Sequence, residues 1–284
     1  MRDTAELLRR ELTSLGHEVA KGRWQPMDGG RTNSIWRITG DQGDFVCKLF
    51  QPQTDNPLFP NDPMAEVKAL LSLAGHEIAP TLSSRFQTKF GTCLIYTYEP
   101  GKPWSGDPAP VARLLRRLHA MDPPKGLRVL PSGSEALWRV TSQIVQRCAD
   151  VPAPLRNTPL APEVPASAQR CFLHGDAVAG NILIGAGGAR LIDWQCPAIG
   201  DPSEDLAVFL SPAMQHLYGG HALGTDATQD FLAAYGDPIA TLRYPALKAY
   251  FHLRMAAYCL WKFQTGHADY LRAMALELDA LERL

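Results

Sequence analysis

Two carboxylates, an amide and a histidine lie close together in FLHGDAVAGNILIGAGGARLIDWQ, residues 172–195. Within it, NILI and ARLID are strand-like and GAGG reads as a turn, which predicts an antiparallel hairpin. Asn181 and Asp193 are equally distant from Gly187 in the sequence. We expect them to face each other across the hairpin, with Cβ atoms roughly 4.5–5.5 Å apart. An amide oxygen and a carboxylate held that way can bind one Mg²⁺, so the hairpin predicts a metal site.

A third polar side chain, Asp176, precedes Asn181 by five residues on the loop that enters the hairpin. A carboxylate there can orient an acceptor hydroxyl and take up its proton during phosphoryl transfer. His174 and Gly175 are expected to shape this loop, since glycine tolerates unusual φ values. The structural alternative is that Asp176 and Asn181 cap a turn while Asp193 ends a strand. The joint spacing favours catalysis, because it is also the spacing of protein kinases.

Upstream, Lys48 stands inside FVCKLF, an otherwise apolar strand. Burial of an unpaired ammonium is costly, so Lys48 either faces solvent on an edge strand or binds nucleotide phosphates. Glu66, in the first turn of MAEVKALLSL, is its expected partner, although it can simply complement the helix N-terminus. The Gly29-Gly30 turn in MDGGRTNSIWRI can bring backbone N–H groups to phosphate oxygens. These features predict nucleotide binding by the first part of the chain.

The secondary-structure pattern changes near residue 100. Strand-like runs dominate before about residue 97 and helical periods dominate after about residue 102. This order predicts an α+β protein in two lobes and not an alternating βα sheet. We assign residues 1–98 to an N-lobe with the phosphate cover and Lys48. Residues 99–284 form a C-lobe with the catalytic loop, the metal-binding hairpin and a helical acceptor-binding region.

The composition is that of an ordinary globular protein. Of the 284 residues, 45% are hydrophobic and 20% are charged, and the net charge of −1 provides no basic field for nucleic acid or a membrane surface. No apolar run approaches the roughly twenty residues that a membrane span needs. The N-terminus reads as an amphipathic helix and not as a signal peptide. The six cysteines lack CxxC spacing, which favours reduced thiols and a cytoplasmic location.

HGDAVAGN with LIDWQ resembles the aminoglycoside/choline phosphotransferase family, the small-molecule branch of the protein-kinase-like fold. The G-G-x-x-N form of residues 29–33 is similar to choline-, thiamine- and related kinases. The resemblance implies a two-lobed protein-kinase-like fold with a small strand-rich N-lobe, Mg²⁺ as cofactor and ATP as donor, with GTP as the alternative. It further implies that Asp205 braces the catalytic loop from behind, and that the main chain at Thr97, Tyr98 and Glu99 holds the adenine.

The acceptor is expected between the catalytic loop and the C-terminal helices. Tyr258 and Trp261 share a helix face and, with Trp194, form a candidate acceptor pocket for a cation held by cation–π attraction. Aromatic core packing is the plainer interpretation. The acidic side chains of ALELDALER, among them Glu277, suit either an amine ligand or a solvated helix face. His119 is interpreted as a packing residue.

These features favour a kinase that phosphorylates a hydroxyl of a small metabolite or antibiotic carrying an amine or cation, such as a choline-, thiamine- or aminoglycoside-like molecule. The first alternative is a catalytically silent nucleotide-binding module, which would usually lack one of the site residues present here. The second is a protein-serine kinase, although no Ala-Pro-Glu segment follows Asp193 to dock a peptide. A nucleotide and a small molecule are therefore the expected partners.

Overall fold

The computed structural model describes residues 2–27, 32–41, 43–52, 55–156 and 163–284, with side chains from residue 4 onwards. The chain divides into two compact units. Unit 1 comprises Met1–Gly101 and Arg190–Cys196, and unit 2 comprises Lys102–Ala189 and Pro197–Leu284. Among the described residues the helices are α1 (Arg2–Ser14), α2 (Pro63–Ser72), α3 (Ala109–His119), α4 (Ser134–Val145), α5 (Ala153–Arg156), α6 (Ser203–Leu210), α7 (Pro212–Gly219), α8 (Thr225–Tyr235), α9 (Pro238–Gln264) and α10 (Tyr270–Glu282). The strands there are β1 (Arg23–Pro26), β2 (Ser34–Gly40), β3 (Gly43–Leu49), β4 (Leu82–Thr88), β5 (Gly91–Thr97), β6 (Lys102–Pro103), β7 (Arg128–Val129), β8 (Cys171–Leu173), β9 (Ile182–Gly185), β10 (Gly188–Leu191) and β11 (Ala198–Gly200).

Unit 1 is built on an antiparallel sheet with the strand order β1-β2-β3-β5-β4. Trp36 and Ile38 of β2 form a core cluster with Leu8 and Leu12 of α1. Because side chains alternate along a strand, residues that neighbour Lys48 in β3 point into this cluster while Lys48 points to the other face. Lys48 therefore lies on a central strand and not on a solvent-facing edge.

Helix α2 begins at a well-formed N-cap. The Asp62 carboxylate accepts hydrogen bonds from the N–H groups of Met64 (2.8 Å) and Ala65 (3.0 Å), and Pro63 occupies the first turn. Asp62 thus accepts hydrogen bonds from two N–H groups that have no partner within the helix, and Pro63 has no N–H that would need one. The cap fixes the first turn of α2, from which Glu66 extends into a buried position.

The segment Arg190–Cys196 belongs to unit 1 although it follows most of unit 2 in the sequence. Its Leu191 N–H donates to the Ile78 carbonyl (2.7 Å), and the Asp62 N–H donates to its Gln195 carbonyl (3.0 Å). The unit boundaries therefore differ here from lobes drawn as 1–98 and 99–284, because long-range backbone hydrogen bonds and not chain order determine where this segment packs.

The hairpin expected around Gly187 is present as β9 and β10. Asn181 and Asp193 do not lie within its strands, however. Asn181 ends a 3₁₀ turn, Ala179–Asn181, in which its N–H bonds to the Val178 carbonyl (2.9 Å). Asp193 lies two residues beyond β10 with a left-handed φ of 62°, which takes it out of the extended conformation. The two residues flank the hairpin and are not a cross-strand pair.

Unit 2 is mainly helical, which confirms the predicted α+β class. It contains more strand pairing than the sequence suggested, since β6 pairs with β9 and a second small sheet has the order β7-β11-β8. Phe209 of α6 is fully buried, stacks on Phe231 (centroids 4.7 Å apart) and meets Trp104 edge-on (5.0 Å). None of the described helices combines the length and the hydropathy of a membrane span.

We expect Phe209→Ala to lower the free energy of unfolding by about 3–5 kcal/mol, because it removes a ring from a closed aromatic core. Leu242→Ala, at a side chain that is 76% exposed, is the control and should change it by less than about 0.5 kcal/mol. Urea denaturation of both variants measures the difference. Equal stability of the two would contradict the packing described for α6.

Candidate active site

The Lys48 ammonium is the centre of the polar site in unit 1. Its side chain is 0% exposed, and Nζ lies 2.5 Å from Glu66 Oε2 and 2.5 Å from Asp193 Oδ1. Burial disfavours the ammonium, but the carboxylates of Asp193 and Glu66 outweigh this effect, so the pKa of Lys48 is raised. The structure thus brings together three of the residues that the sequence singled out.

The two carboxylates differ in environment. Burial raises the pKa of Glu66 to about 7, although Lys48 lowers it, and the side chain is 1% exposed. The Asp193 side chain is 27% exposed, and its Oδ2 has no hydrogen-bond partner among the described residues. Glu66 is therefore a buried partner of the lysine, while Asp193 is more exposed and has one oxygen without a hydrogen bond among the described residues.

The segment that leaves β5 contains the residues expected at the adenine. The N–H groups of Thr97 and Tyr98 already donate to the carbonyls of Thr81 and Asp44, each at 2.9 Å. Within the part of the chain described, the Glu99 N–H makes no such bond. Binding of a base by the Thr97 or Tyr98 N–H would therefore replace an existing hydrogen bond, and the role of all three residues stays a prediction. The Gly29-Gly30 pair lies outside the described residues.

In unit 2, the buried carboxylate of Asp205 binds the loop that carries Asp176. Oδ2 of Asp205 accepts the His174 N–H (2.8 Å) and Oδ1 accepts the Gly175 N–H (2.8 Å), while His119 Nε2 lies 3.0 Å from Oδ2. Burial opposes the charge, but the contact with His119 and the loop outweighs it, so the pKa of Asp205 is lowered. Gly175 adopts a φ of 79°, which suits a residue without a Cβ.

Asn181 supports the same loop, and its side-chain oxygen makes no hydrogen bond among the described residues. Its Nδ2 donates to the Asp176 carbonyl (3.0 Å) and to Asp176 Oδ2 (3.2 Å), which leaves Asn181 Oδ1 as a donor atom for a metal. In the described ranges, no three His, Cys, Asp or Glu side chains converge as a protein-only metal cage would require. Amide and carboxylate oxygens from Asn181 and Asp193 fit Mg²⁺, which commonly takes few protein ligands and completes its shell with phosphates and water. Their joint role stays a prediction, since the two residues belong to different units.

The candidate acceptor residues are mostly buried. Trp194 lies in unit 1, is 0% exposed and donates to the Leu191 carbonyl (3.0 Å). In unit 2, Tyr258 and Trp261 pack together with centroids 5.8 Å apart, and Lys262 Nζ lies 5.8 Å from the Trp261 ring. A cation of the chain itself therefore lies beside this pair, and the role of Tyr258 and Trp261 in acceptor binding stays a prediction.

Glu277 is buried on α10, which contradicts the sequence interpretation that it belongs to a solvated helix face. Its carboxylate accepts hydrogen bonds from Ser211 Oγ and the Ala213 N–H and contacts His252 Nδ1 at 2.5 Å, and the residue is 1% exposed. Both of its oxygens are engaged, so it is not available to an amine ligand.

Sequence reasoning missed His119 as part of the site. It lies on the buried face of α3, where Nδ1 is 2.8 Å from the Tyr235 hydroxyl and Nε2 contacts Asp205. A histidine on the apolar face of an amphipathic helix needs a polar partner, and that was the available signal. The six cysteines, expected as thiols, are all free.

Solved structures share the fold at low sequence identity. A choline/ethanolamine kinase family protein from Mesorhizobium loti is 17% identical over 95% of this chain and 94% of its own, with a TM-score of 0.65. Aminoglycoside phosphotransferase APH(4)-Ia is 16% identical over 99% and 98%, with a TM-score of 0.67. Choline kinase from Cryptosporidium parvum Iowa II is 12% identical over 99% and 96%, with a TM-score of 0.64. A thermostable mutant of APH(4)-Ia forms a ternary complex with ADP and hygromycin B. A search of curated proteins finds no match.

The family follows from the sequence model of the phosphotransferase enzyme family, which matches residues 23–250. This is well over half of the chain, so the chain belongs to that family. The resemblance drawn from HGDAVAGN and LIDWQ is confirmed, as is the protein-kinase-like fold. The protein is a small-molecule phosphotransferase with a hydroxyl group as acceptor.

We expect Lys48→Met to lower the free energy of unfolding by about 3–5 kcal/mol, because it leaves two carboxylates without their buried cation. The double variant Lys48→Met/Glu66→Gln removes one of those carboxylates and should recover about 1–2 kcal/mol of the loss. Urea denaturation at pH 7.5 measures both. A single variant as stable as the wild type would show that the ammonium does not hold these segments together.

Asp205→Asn should cost about 3 kcal/mol at pH 7, because the carboxylate accepts three hydrogen bonds in a buried position. Since the pKa of Asp205 is lowered, its contribution is present above its ordinary value of 3.8 and is lost as the pH falls through the lower folded-state value. The difference in unfolding free energy between wild type and variant should therefore stay constant from pH 8 to pH 5 and shrink below about pH 4. Asp230→Asn, an exposed position on α8, is the matched control. A difference that shrinks near pH 6 would be incompatible with this assignment.

Proposed function

We propose that the protein is a kinase that transfers the γ-phosphoryl group of ATP to a hydroxyl of a small molecule carrying an amine or a cation. The observation that carries this proposal is the buried Lys48 ammonium, shared by Glu66 and Asp193 in a chain of the phosphotransferase family. The two carboxylates keep the lysine charged and fix the orientation of its side chain, and phosphate binding requires both. We place the activity in the cytoplasm, consistent with six free thiols.

Unit 1 provides the groups for the nucleotide. Lys48 would bind its phosphates, the Gly29-Gly30 pair would cover them, and the Glu99 N–H would donate to the base. Main-chain recognition of this kind does not distinguish adenine from guanine by side-chain type. ATP is favoured over GTP because a solved protein of similar fold, the APH(4)-Ia mutant, binds ADP.

Mg²⁺ is the proposed cofactor, held by Asp193 Oδ2 and Asn181 Oδ1. When bound, it would neutralise negative charge on the nucleotide phosphates. The protein's own contribution is to keep both oxygens available: Lys48 occupies the other Asp193 oxygen, and Asn181 directs its Nδ2 toward Asp176.

Asp176 is the proposed catalytic base. The acceptor hydroxyl oxygen would form a bond to the γ-phosphorus as the bond from that phosphorus to the β–γ bridging oxygen breaks, which releases the nucleoside diphosphate. The hydroxyl proton would pass to the Asp176 carboxylate. Asp205 supports this step indirectly, because it holds the N–H groups of His174 and Gly175 and so fixes the loop on which Asp176 lies.

The acceptor class rests on the relatives and not on a defined pocket. The proteins of similar fold are named for choline, ethanolamine and aminoglycosides, which are hydroxylated molecules with amine or quaternary ammonium groups. We therefore propose an acceptor of this chemistry. Protein substrates and catalytic silence are less well supported, since the proteins of similar fold are named for small molecules and the proposed catalytic side chains are present.

Mg²⁺-dependent ADP release should appear when ATP is supplied with one class of a panel of amino-alcohols, aminoglycosides, thiamine and sugars. Asp176→Ala should lower kcat by about 10²–10⁴-fold, because no group then takes the hydroxyl proton, while the KM for ATP changes little. Asp230→Ala, which removes an exposed carboxylate of α8, should behave as wild type. Wild-type turnover that survives in Asp176→Ala would remove that residue from the mechanism. Absence of turnover with every acceptor and both nucleotides would leave a silent binding module.

A further inference from the structure

Three buried side-chain amides form one hydrogen-bonded cluster in unit 1. Asn33 is 8% exposed, Asn61 is 4% exposed and Gln195 is 6% exposed. We propose that this amide cluster is a positioning element that aligns the Lys48 and Asp193 segments for binding of a Mg²⁺–nucleoside diphosphate or triphosphate. The inference rests on the nucleotide binding proposed above and assigns a role to residues outside the ion-pair site.

Asn33 is at the centre of the cluster. Its Nδ2 donates to Asn61 Oδ1 and to Gln195 Oε1, both at 2.9 Å. Its Oδ1 accepts from Asn61 Nδ2 (2.9 Å) and from the Gln51 N–H (3.1 Å). All four hydrogen-bonding positions of this amide are therefore used, which is the condition for a buried polar group to specify one arrangement.

The three hydrogen-bond partners of Asn33 each lie next to a segment that carries a site residue. Gln51 follows Lys48 by three positions, and Asn61 immediately precedes the N-cap of α2, the helix of Glu66. Gln195 follows Asp193 by two positions, and its carbonyl accepts the N–H of the α2 N-cap residue (3.0 Å). The cluster therefore joins the ends of the same segments that meet at the Lys48 ammonium.

The conformation of Asp193 gives the cluster a specific task. A φ of 62° is unfavourable for a residue with a Cβ by roughly 1 kcal/mol and persists only where its surroundings impose it. Lys48 holds the Asp193 side chain, and the double attachment of Gln195 holds the chain just beyond it. Without that attachment, Asp193 can relax and turn its free oxygen away from the metal position.

Amides suit this task because they are neutral. A carboxylate in the cluster would add negative charge near Glu66 and Asp193, where nucleotide phosphates are also proposed to bind. An apolar side chain would leave the remaining amides buried without partners. Amides supply directional donors and acceptors with no net charge.

The test compares Mg²⁺–ADP binding by the full-length wild type and variants, by titration calorimetry well below each melting temperature. Gln195→Leu removes one acceptor at the edge of the cluster and should raise the Kd by about tenfold or more. Asn33→Ala should raise it further. Gln87→Leu is the matched control, because it removes hydrogen bonds to Thr88 and Thr92 from an exposed glutamine of unit 1. Its Kd should stay within about twofold of wild type.

A role in stability alone would lower the melting temperature and leave the Kd of the folded protein unchanged. Positioning of Asp193 further predicts that Gln195→Leu weakens Mg²⁺–ADP more than ADP measured with EDTA. If folded Gln195→Leu binds Mg²⁺–ADP as tightly as wild type, the inference is overturned, and this variant decides alone if Asn33→Ala does not fold. A wild type that binds no nucleotide would instead overturn the proposed function together with this inference.

Discussion

A buried ammonium needs anionic partners, and in this protein that requirement organises unit 1. Lys48 lies on the central strand β3 with no exposed surface, so it is tolerated only because Glu66 and Asp193 each approach its Nζ within 2.5 Å. One partner comes from the capped first turn of α2 and the other from a segment nearly 150 residues away in sequence. This ion pair and the backbone hydrogen bonds of Leu191 and Gln195 together explain why Arg190–Cys196 packs with unit 1 in spite of its place in the chain.

In unit 2 the buried charge is negative, and it likewise requires hydrogen-bonding partners. The Asp205 carboxylate is buried and satisfied by two loop N–H groups and by His119, which in turn contacts the Tyr235 hydroxyl. A buried network in which every polar group has a partner has little freedom to rearrange. Asp205 and His119 therefore fix the loop that carries Asp176 without needing to contact a substrate. The residues that position this loop are thus distinct from Asp176, the proposed catalytic base.

The sequence predicted the parts of this site that leave a local signal. Lys48 was found because its neighbours are apolar, Glu66 because it opens a helix, and the hairpin because a glycine turn separates two strand-like runs. The hydrogen bond between Asn33 and Gln195 connects residues 162 positions apart, and no periodicity or motif in the sequence predicts this pairing. The exposure of Asp193 and the burial of Glu277 were equally hidden, because each depends on which distant donor meets a carboxylate and not on the residues beside it.

The residues proposed to bind phosphate and metal and the residues that select the acceptor are under different structural constraints. The groups proposed to handle phosphate and metal are fixed by buried pairs, whose substitution carries a penalty in stability as well as in function. Tyr258 and Glu277 already have partners within unit 2, Tyr258 through Trp261 and Tyr270, and Glu277 through Ser211 and His252. Proteins of similar fold with 12–17% identity are named for acceptors as different as choline and an aminoglycoside. If the acceptor binds in unit 2, as proposed from the sequence, exposed side chains there are the ones whose substitution can change recognition without leaving a buried charge unpaired.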